Sequence, residues 1–539
     1  MGLIFLLHGR FAHTIPLATN TRRVSLRSNG NQANDNSFRL DISADGRYVA
    51  FASDASNLVN GDNNNARDIF VRDRQTGTTQ RVSVNSDGVE ANFDSDSPSI
   101  SDNGRFVAFH SFATNLRSDD TNGVADIFLH DRQTGETTVV NRVLVGQVND
   151  ISYDPDISGN GQYITFWSYA SNLVGGDNNN VADIFRFDRL GLTMFRVSLD
   201  SNGVEGNGHS SYPSISQDGR YIAFESDASN LAPGDSGIYR DIFWHDMDSG
   251  ETKRLSVNES GSEANGDSVE AVISANGRYV AFSSRAIDII GNDTNVYSDI
   301  FLRDTDQDAT QLITAALGDI NTWETPSVSG NGRYIAFRGR PAPLPPNQGC
   351  SGVLCEIFVY DRQMNTTSRV SVSSNGTNGN DDSQLPAMAA DGRYAAFSSV
   401  ATNLVANDTN SSYDIFVREF LPSPTFDINY RTGRPASFFA LSGTYYIPDQ
   451  SFQVAVNGVT LGNVTADDNG NINFRLQTQN STEPGTYYVA IQNNNSSHLT
   501  SFRLNVFSPL RAASGSGPTF VVPNGIAFTH YQYLPLVVR

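Results

Sequence analysis

Long apolar runs are missing from this 539-residue chain. The apolar stretch Leu3–Leu7 is far shorter than the roughly 20 residues that a membrane helix needs. We therefore expect no membrane span. Residues 1–20 are interpreted either as the end of a secretory signal without its basic leader, or as a disordered N-terminus.

Basic residues are scarce, with 37 Lys and Arg against 58 Asp and Glu, and the net charge is −21. No basic stripe is present to replace the counterions of a phosphate backbone, which argues against a nucleic-acid partner. Excess acid is typical of highly soluble secreted proteins and of cation-binding proteins. We expect a monomer that is extracellular, periplasmic or on the cell surface.

Cysteine is limited to Cys350 and Cys355. Two cysteines so close in the sequence predict a small local disulfide, formed in an oxidising compartment. The alternative is a pair of loop thiols in a reducing cell.

Familiar catalytic motifs are also missing. The chain has no Gly-x-Ser-x-Gly elbow, and neither His-x-x-x-His nor a paired cysteine spacing for zinc. The sequence predicts no catalytic residue and no organic cofactor, and it favours a role without catalysis.

A repeat of 57 or 58 residues fills most of the chain. An acidic residue followed by Ile-Phe recurs at Asp68, Asp126, Asp183, Asp241, Asp299, Glu356 and Asp414. Each copy reads as four short strands separated by turn signals such as Asp45-Gly46. Four strands per repeat predict the blades of a β-propeller.

The two ends of the repeat region complement each other. The seventh copy stops after its third strand, and the missing fourth strand matches Thr21–Gly30, which resembles Thr79–Gly88. We therefore predict an all-β, seven-bladed propeller over residues 21–420, closed by the N-terminal strand so that no edge is left free.

The period vanishes after the proline-rich linker at 421–424. Residues 425–508 alternate apolar and polar residues between turn signals, which predicts a small antiparallel β-sandwich of immunoglobulin-like size. Residues 509–539 are interpreted as a linker and a C-terminal tail.

Acids and amides recur in the long loop between the second and third strands, on the face opposite the tight turns. Oxygen ligands at alternate loop positions suit Ca²⁺, and two carboxylates predict weak binding. The alternative is that these side chains cap turns. The predicted metal ligands are Asp62, Asn64, Asp68; Asp120, Asn122, Asp126; Asp177, Asn179, Asp183; Asp235, Asp241; Asp293, Asn295, Asp299; and Asp408, Asn410, Asp414.

The arginine of Asp-Gly-Arg is present in six of the seven copies. A residue repeated so regularly is interpreted as holding blades together, by pairing with third-strand acids such as Asp73 and Asp131. Its positions are Arg47, Arg105, Arg220, Arg278, Arg333 and Arg393.

The motif Ser-x-Asp-Gly-Arg-Tyr-Val-Ala-Phe, followed by Asp-Ile-Phe-Val-x-Asp-x-x-Thr-Gly, resembles the TolB-type, WD-like propeller repeat over residues 21–420. The resemblance implies a binding platform rather than a reaction.

We predict a secreted or surface scaffold, stabilised by Ca²⁺, that presents its long-loop face to a protein or glycan. The alternative is a polysaccharide-active enzyme, a lyase or glycosidase with an accessory sandwich. A carboxylate pair unique to one or two blades and facing the channel would favour the enzyme.

The sixth copy generates a test, because Cys350 stands where other copies place Asp62 or Asp120. We expect this loop to be metal-free and held by a Cys350–Cys355 disulfide, although so small a ring restricts the unfolded chain only modestly. Mass spectrometry of the non-reduced protein should find two hydrogens fewer than in the reduced protein. Two free thiols would contradict the prediction.

Overall fold

The computed structural model describes residues 20–143, 146–291, 293, 297–314, 326–339, 354–419, 425–444, 446, 450–467, 470–493, 497–513 and 516–524. Its regular elements within these ranges are 37 β-strands, with no α-helix. The same ranges hold no helix with the length and hydropathy of a membrane span.

The first described residues form strand β1 (Asn20–Arg23), and three sheets of four strands follow it. Sheet 1 is β2 (Ser37–Ile42), β3 (Tyr48–Ser53), β4 (Asp68–Asp73) and β5 (Thr78–Arg81). Sheet 2 is β6 (Ser95–Ile100), β7 (Phe106–Ser111), β8 (Asp126–Asp131) and β9 (Glu136–Val139). Sheet 3 is β10 (Ser152–Ile157), β11 (Tyr163–Ser168), β12 (Asp183–Asp188) and β13 (Thr193–Arg196).

Four further sheets complete residues 20–419. Sheet 4 is β14 (Ser210–Ile215), β15 (Tyr221–Ser226), β16 (Asp241–Asp246) and β17 (Glu251–Arg254). Sheet 5 is β18 (Ser268–Ile273), β19 (Tyr279–Ser284), β20 (Asp299–Asp304) and β21 (Ala309–Leu312). Sheet 6 is β22 (Ser327–Val328), β23 (Tyr334–Gly339), β24 (Glu356–Asp361) and β25 (Thr366–Arg369). Sheet 7 joins β26 (Ser383–Met388), β27 (Tyr394–Ser399) and β28 (Asp414–Glu419) to β1.

The hydrophobic core lies between neighbouring sheets. The second and third strands carry continuous apolar runs, as strands covered on both faces require, and each contributes one phenylalanine to a stacked pair such as Phe51 and Phe70. Seven buried clusters join successive sheets, and one of them combines Phe51 of sheet 1 with Val417 of sheet 7. Repeated four-stranded sheets packed face to face support the predicted β-propeller.

Each turn after a first strand contains a glycine that lies against an aromatic ring of the preceding sheet. Gly104 has φ +70°, and a Cβ on it would overlap the ring of Tyr48. Only glycine combines this conformation with so close an approach. The seven pairs are Gly46–Tyr394, Gly104–Tyr48, Gly161–Phe106, Gly219–Tyr163, Gly277–Tyr221, Gly332–Tyr279 and Gly392–Tyr334.

The recurrent Asp-Gly-Arg arginines do not join sheets, contrary to the prediction. Arg47 pairs with Asp73 through Nε at 3.0 Å and Nη2 at 2.7 Å, and both residues belong to sheet 1. The acid was identified correctly, but strands two and three are hydrogen-bonded neighbours. The arginine that directly follows this acid in the sequence contacts the neighbouring sheet instead. The guanidinium of Arg132, next to Asp131 of sheet 2, lies 4.7 Å from the ring centroid of Tyr48 in sheet 1.

Strand β1 pairs antiparallel with β28, with Thr21 opposite Arg418 and Arg23 opposite Phe416. Val24, the next residue, is buried in the cluster that joins sheets 7 and 1. The N-terminal segment therefore supplies the outer strand of the last sheet.

Residues 425–524 form two further sheets that share one buried cluster. The first contains β29 (Thr425–Ile428), β31 (Phe438–Thr444), β34 (Ile472–Gln477) and β37 (Thr519–Val521). The second contains β30 (Thr432–Gly433), β36 (Ser497–Leu504), β35 (Gly485–Gln492), β32 (Ser451–Val456) and β33 (Val459–Thr465).

Two features of this region differ from the sequence interpretation. Strand β37 lies within the segment taken as linker, because Phe520 packs on the core and Val522 is buried there. Strands β30 and β37 pair parallel to their neighbours, whereas an antiparallel arrangement was expected.

Removal of residues 1–30 should lower the melting temperature by at least about 5 °C and promote aggregation. The deletion leaves β28 with a free edge and takes Val24 out of the core. The matched control is removal of residues 1–19 alone, a deletion that ends before β1. It should change neither the melting temperature nor the tendency to aggregate. Equal melting of the two truncated proteins would contradict the role of β1.

Candidate functional site

The first strand of six sheets contains a bulge whose central residue has positive φ. Non-glycine residues adopt this conformation at a cost, and bulges redirect side chains. The bulge residues are Arg39, Ser97, Asp154, Tyr212, Glu270 and Leu385, with φ between 39° and 58°.

These bulge residues line a central cavity of about 270 Å³, together with Pro326 and Ser327 of sheet 6. The backbone repeats from sheet to sheet, but the side chain changes each time, so the cavity has no rotational symmetry. Sequence reasoning missed these positions. A signal was present in the sequence: each bulge residue follows, by two places, a recurrent serine such as Ser37 or Ser95 that opens its first strand.

A row of five aromatic rings lies beside this cavity, at the ends of strands that lead into the long loops. Adjacent centroids are 5.1–6.1 Å apart. Phe112 and Tyr169 are 39% and 38% exposed. We call this set the aromatic row; in order it is Phe112, Tyr153, Trp167, Tyr169 and His209.

Hydrogen bonds fix the aromatic row to the cavity wall. Trp167 Nε1 donates to Asp154 Oδ2 at 3.0 Å, and Ser97 Oγ donates to Asp154 Oδ1 at 2.6 Å. Arg39 Nη1 lies 3.9 Å from Asp154 Oδ1. His110 packs edge-on under Tyr153, and its burial lowers the pKa of the imidazole, which is neutral at pH 7.

A second polar group lies in a separate pocket on the sheet 4 side, which shares Tyr212 and Glu270 with the cavity wall. The buried Glu225 accepts hydrogen bonds from Ser211 Oγ at 3.0 Å and from the backbone N–H of Glu270 at 2.9 Å. Arg240 Nη1 lies 3.0 Å from Glu225 Oε1. These contacts hold a carboxylate and a guanidinium together in that pocket.

Two carboxyl groups share one hydroxyl deeper in the cavity. Ser99 Oγ lies 2.8 Å from Asp156 Oδ1 and 3.3 Å from Asp41 Oδ2. Burial, reinforced by the charge of Asp156, raises the pKa of Asp41 to about 7. Five other sheets place no acid here; their residues are Ser99, Ser214, Val272, Ser327 and Ala387.

The acidic loops of sheets 1, 3, 4 and 7 hold an arginine among the carboxylates that were predicted as metal ligands. In sheet 1, Arg81 Nη1 lies 2.7 Å from Glu90 Oε2, 3.1 Å from Asp68 Oδ2 and 3.6 Å from Asp62 Oδ1. Its Nη2 donates to the carbonyl of Gly61 at 3.1 Å. The guanidinium thus supplies the positive charge that the carboxylates require.

The same arrangement, an arginine between two carboxylates, recurs in three other sheets. Arg196 lies between Asp177 and Asp183, Arg254 between Asp235 and Asp241, and Arg23 between Asp408 and Asp414, at 3.2–3.6 Å. In sheet 6, Arg369 Nε lies 2.5 Å from Glu356 Oε2.

The predicted amide ligands use their oxygens in turns. Asn64 Oδ1 accepts a hydrogen bond from the backbone N–H of Ala66 at 3.0 Å, and Asn64 Nδ2 donates to the carbonyl of Ala91. The amide oxygens of Asn122, Asn179 and Asn410 accept the equivalent hydrogen bond. These hydrogen bonds are those that the turn-capping alternative expects, and the assignment of the amides as metal ligands stays a prediction.

Two predicted sites lie partly outside the described residues. In sheet 5, Asp293 and Asp299 are buried, but Asn295 is not described. In sheet 6, Cys355 is buried at the start of β24 and its N–H donates to Asp382 Oδ1, but Cys350 is not described. The Cys350–Cys355 disulfide stays a prediction.

No protein-family model matches the sequence, and no curated protein matches it. The chain is similar to an oligogalacturonate lyase from Vibrio parahaemolyticus (TM-score 0.44, 11% identity, covering 72% of this chain and 90% of the other). It is also similar to an oligogalacturonate lyase in complex with manganese (TM-score 0.44, 11% identity, covering 75% of this chain and 90% of the other). A third similar structure is a putative TolB from Agrobacterium tumefaciens (TM-score 0.36, 15% identity, covering 66% of this chain and 98% of the other). Similarity at this level carries no argument about function.

Asp41 predicts a pH dependence of stability. Its pKa is about 7 in the folded chain against 3.8 ordinarily, so folding favours the protonated form. Its contribution to the free energy of unfolding is complete below about pH 4 and is lost as the pH rises through about 7. Denaturant unfolding from pH 4 to 8 should show a weaker pH dependence for Asp41→Asn than for the wild type. Parallel curves would contradict this assignment.

Proposed function

We propose that the seven sheets are the blades of one closed propeller that acts as a binding scaffold for a glycan on its long-loop face. The contacts of sheet 7 with sheet 1, through Gly46 and Tyr394 and through the cluster around Val24, support closure. The aromatic row beside an asymmetric cavity supports binding.

The aromatic row carries the proposal. The C–H face of a sugar ring is apolar and packs on aromatic faces, while its hydroxyls need hydrogen-bond partners at the edge. Both are present here: Phe112 and Tyr169 are partly exposed, Asp154 and Arg39 lie along the adjoining cavity wall, and Glu225 lines the neighbouring pocket. Rings already held by hydrogen bonds and by one another lose little freedom when a ligand binds.

The charges at the cavity select the class of glycan. Arg39 is near Asp96 and Asp154, and Arg240 contacts Glu225 and Asp227, so each of these two guanidinium groups faces two carboxylates. The net charge of the chain is −21. A neutral or amino-bearing glycan therefore suits this face better than a polyuronate, which would meet repulsion.

A polysaccharide-active enzyme is the second candidate, because Asp41 and Asp156 form a carboxyl pair restricted to two sheets and located in the cavity. The raised pKa of Asp41 keeps a proton available near neutral pH, as a general acid requires. A lyase or a glycosidase could use such a pair.

We further propose that the two sheets of residues 425–524 form an accessory immunoglobulin-like sandwich, and that the protein is secreted or on the cell surface. The shared core of those sheets and the acidic composition support these assignments.

Retention on immobilised polysaccharides tests the binding function, with xylan, chitosan and polygalacturonate as probes. We expect retention on xylan or chitosan and none on polygalacturonate. Trp167→Ala should weaken retention about tenfold, because it removes the central ring of the aromatic row. The matched control is Phe195→Ala, an aromatic residue of the same sheet that is 44% exposed on its outer strand.

Equal retention of wild type and Trp167→Ala would refute binding at the aromatic row. The second candidate, the enzyme, is tested by incubating the protein with the same polysaccharides and assaying for new reducing ends and for the absorbance of unsaturated uronates. Products that disappear in Asp156→Asn would establish catalysis at the carboxyl pair.

A further inference from the structure

Sheet 2 lacks the arginine that occupies the acidic loops of sheets 1, 3, 4 and 7, and so does sheet 5, which has Leu312 at that position. Val139 stands at the position of Arg81, and it packs on the cluster between sheets 1 and 2. The loop nevertheless keeps both acids, Asp120 and Asp126, and Gln147 replaces Glu90. The carboxylates are thus retained without the guanidinium that neutralises them in sheets 1, 3, 4 and 7.

One carboxylate oxygen in this loop is left without a partner. Asp120 is 7% exposed, and its Oδ1 has no hydrogen-bond partner among the described residues. The equivalent oxygens of Asp62 and Asp177 lie 3.6 and 3.4 Å from an arginine. A buried carboxylate oxygen without compensation costs free energy, so this atom indicates a missing cation.

Among the described residues, no cation forms an ion pair with Asp120 or Asp126. Arg117 is paired with Asp119 through Nε at 2.7 Å and Nη2 at 2.6 Å. Asp126 Oδ1 accepts a hydrogen bond from Asn141 Nδ2 at 2.8 Å.

We propose that this loop of sheet 2 binds one calcium ion between the carboxylates of Asp120 and Asp126, in the place that arginine occupies in sheets 1, 3, 4 and 7. Nearby backbone carbonyls are further oxygen donors. All candidate donors are oxygens and the loop residues 117–126 contain neither His nor Cys, which suits a hard cation. Two carboxylates predict a dissociation constant on the order of 10⁻⁴ to 10⁻³ M.

Exchange of residues between sheets tests the site in the full-length protein. Melting of the wild type is compared in EGTA and in 10 mM CaCl₂, with 10 mM MgCl₂ as the ionic control. Calcium should raise the melting temperature by about 2 °C and magnesium should not. Val139→Arg installs the arginine of sheet 1 and should reduce or abolish the calcium effect.

The reciprocal variant is Arg81→Val, which leaves oxygens of Asp62, Asp68 and Glu90 within 4.8 Å of one another. It should lower the melting temperature in EGTA and increase the calcium-dependent rise above that of the wild type. If Val139→Arg does not fold, Asp120→Asn decides: it should reduce the calcium effect. The proposal is overturned if calcium does not stabilise the wild type, or if Val139→Arg or Asp120→Asn responds to calcium as the wild type does.

Discussion

The contact between a turn glycine and the aromatic ring of the preceding sheet sets the distance between sheets. A Cβ at Gly104 would overlap Tyr48, so the turn backbone can reach the ring only because no side chain intervenes. That approach allows the arginine after the third strand, such as Arg132, to cover the same ring. It also brings the second and third strands of neighbouring sheets close enough to bury their apolar side chains together.

The repeat predicted this framework well, because each structural requirement recurs with the same period. The glycine turns, the acid-Ile-Phe strands and the match of Thr21–Gly30 to an outer strand are all local patterns in the sequence. The aromatic row is different. Phe112, Trp167 and His209 come from three sheets, and only the packing of those sheets brings their rings together. No spacing in the sequence encodes such a contact.

The acidic loops show the same limit. The regular acids were visible in the sequence, but their counter-charge was not, because it comes from the neighbouring strand. Arg81 follows Asp68 by 13 residues, whereas Arg23 precedes Asp414 by 391. A guanidinium and a divalent cation meet the same need of paired carboxylates, so the acids alone do not distinguish them. Whether a loop already holds a guanidinium depends on one residue of the fourth strand.

The first-strand bulges separate folding from recognition. Six different side chains, from Arg39 to Leu385, occupy one backbone conformation without altering the sheets around them. Substitution at these positions therefore changes the lining of the cavity while the packing between sheets is preserved. The scaffold is in this respect a ready template for engineering: a combinatorial library restricted to one residue per sheet would sample many ligand specificities on an unchanged architecture.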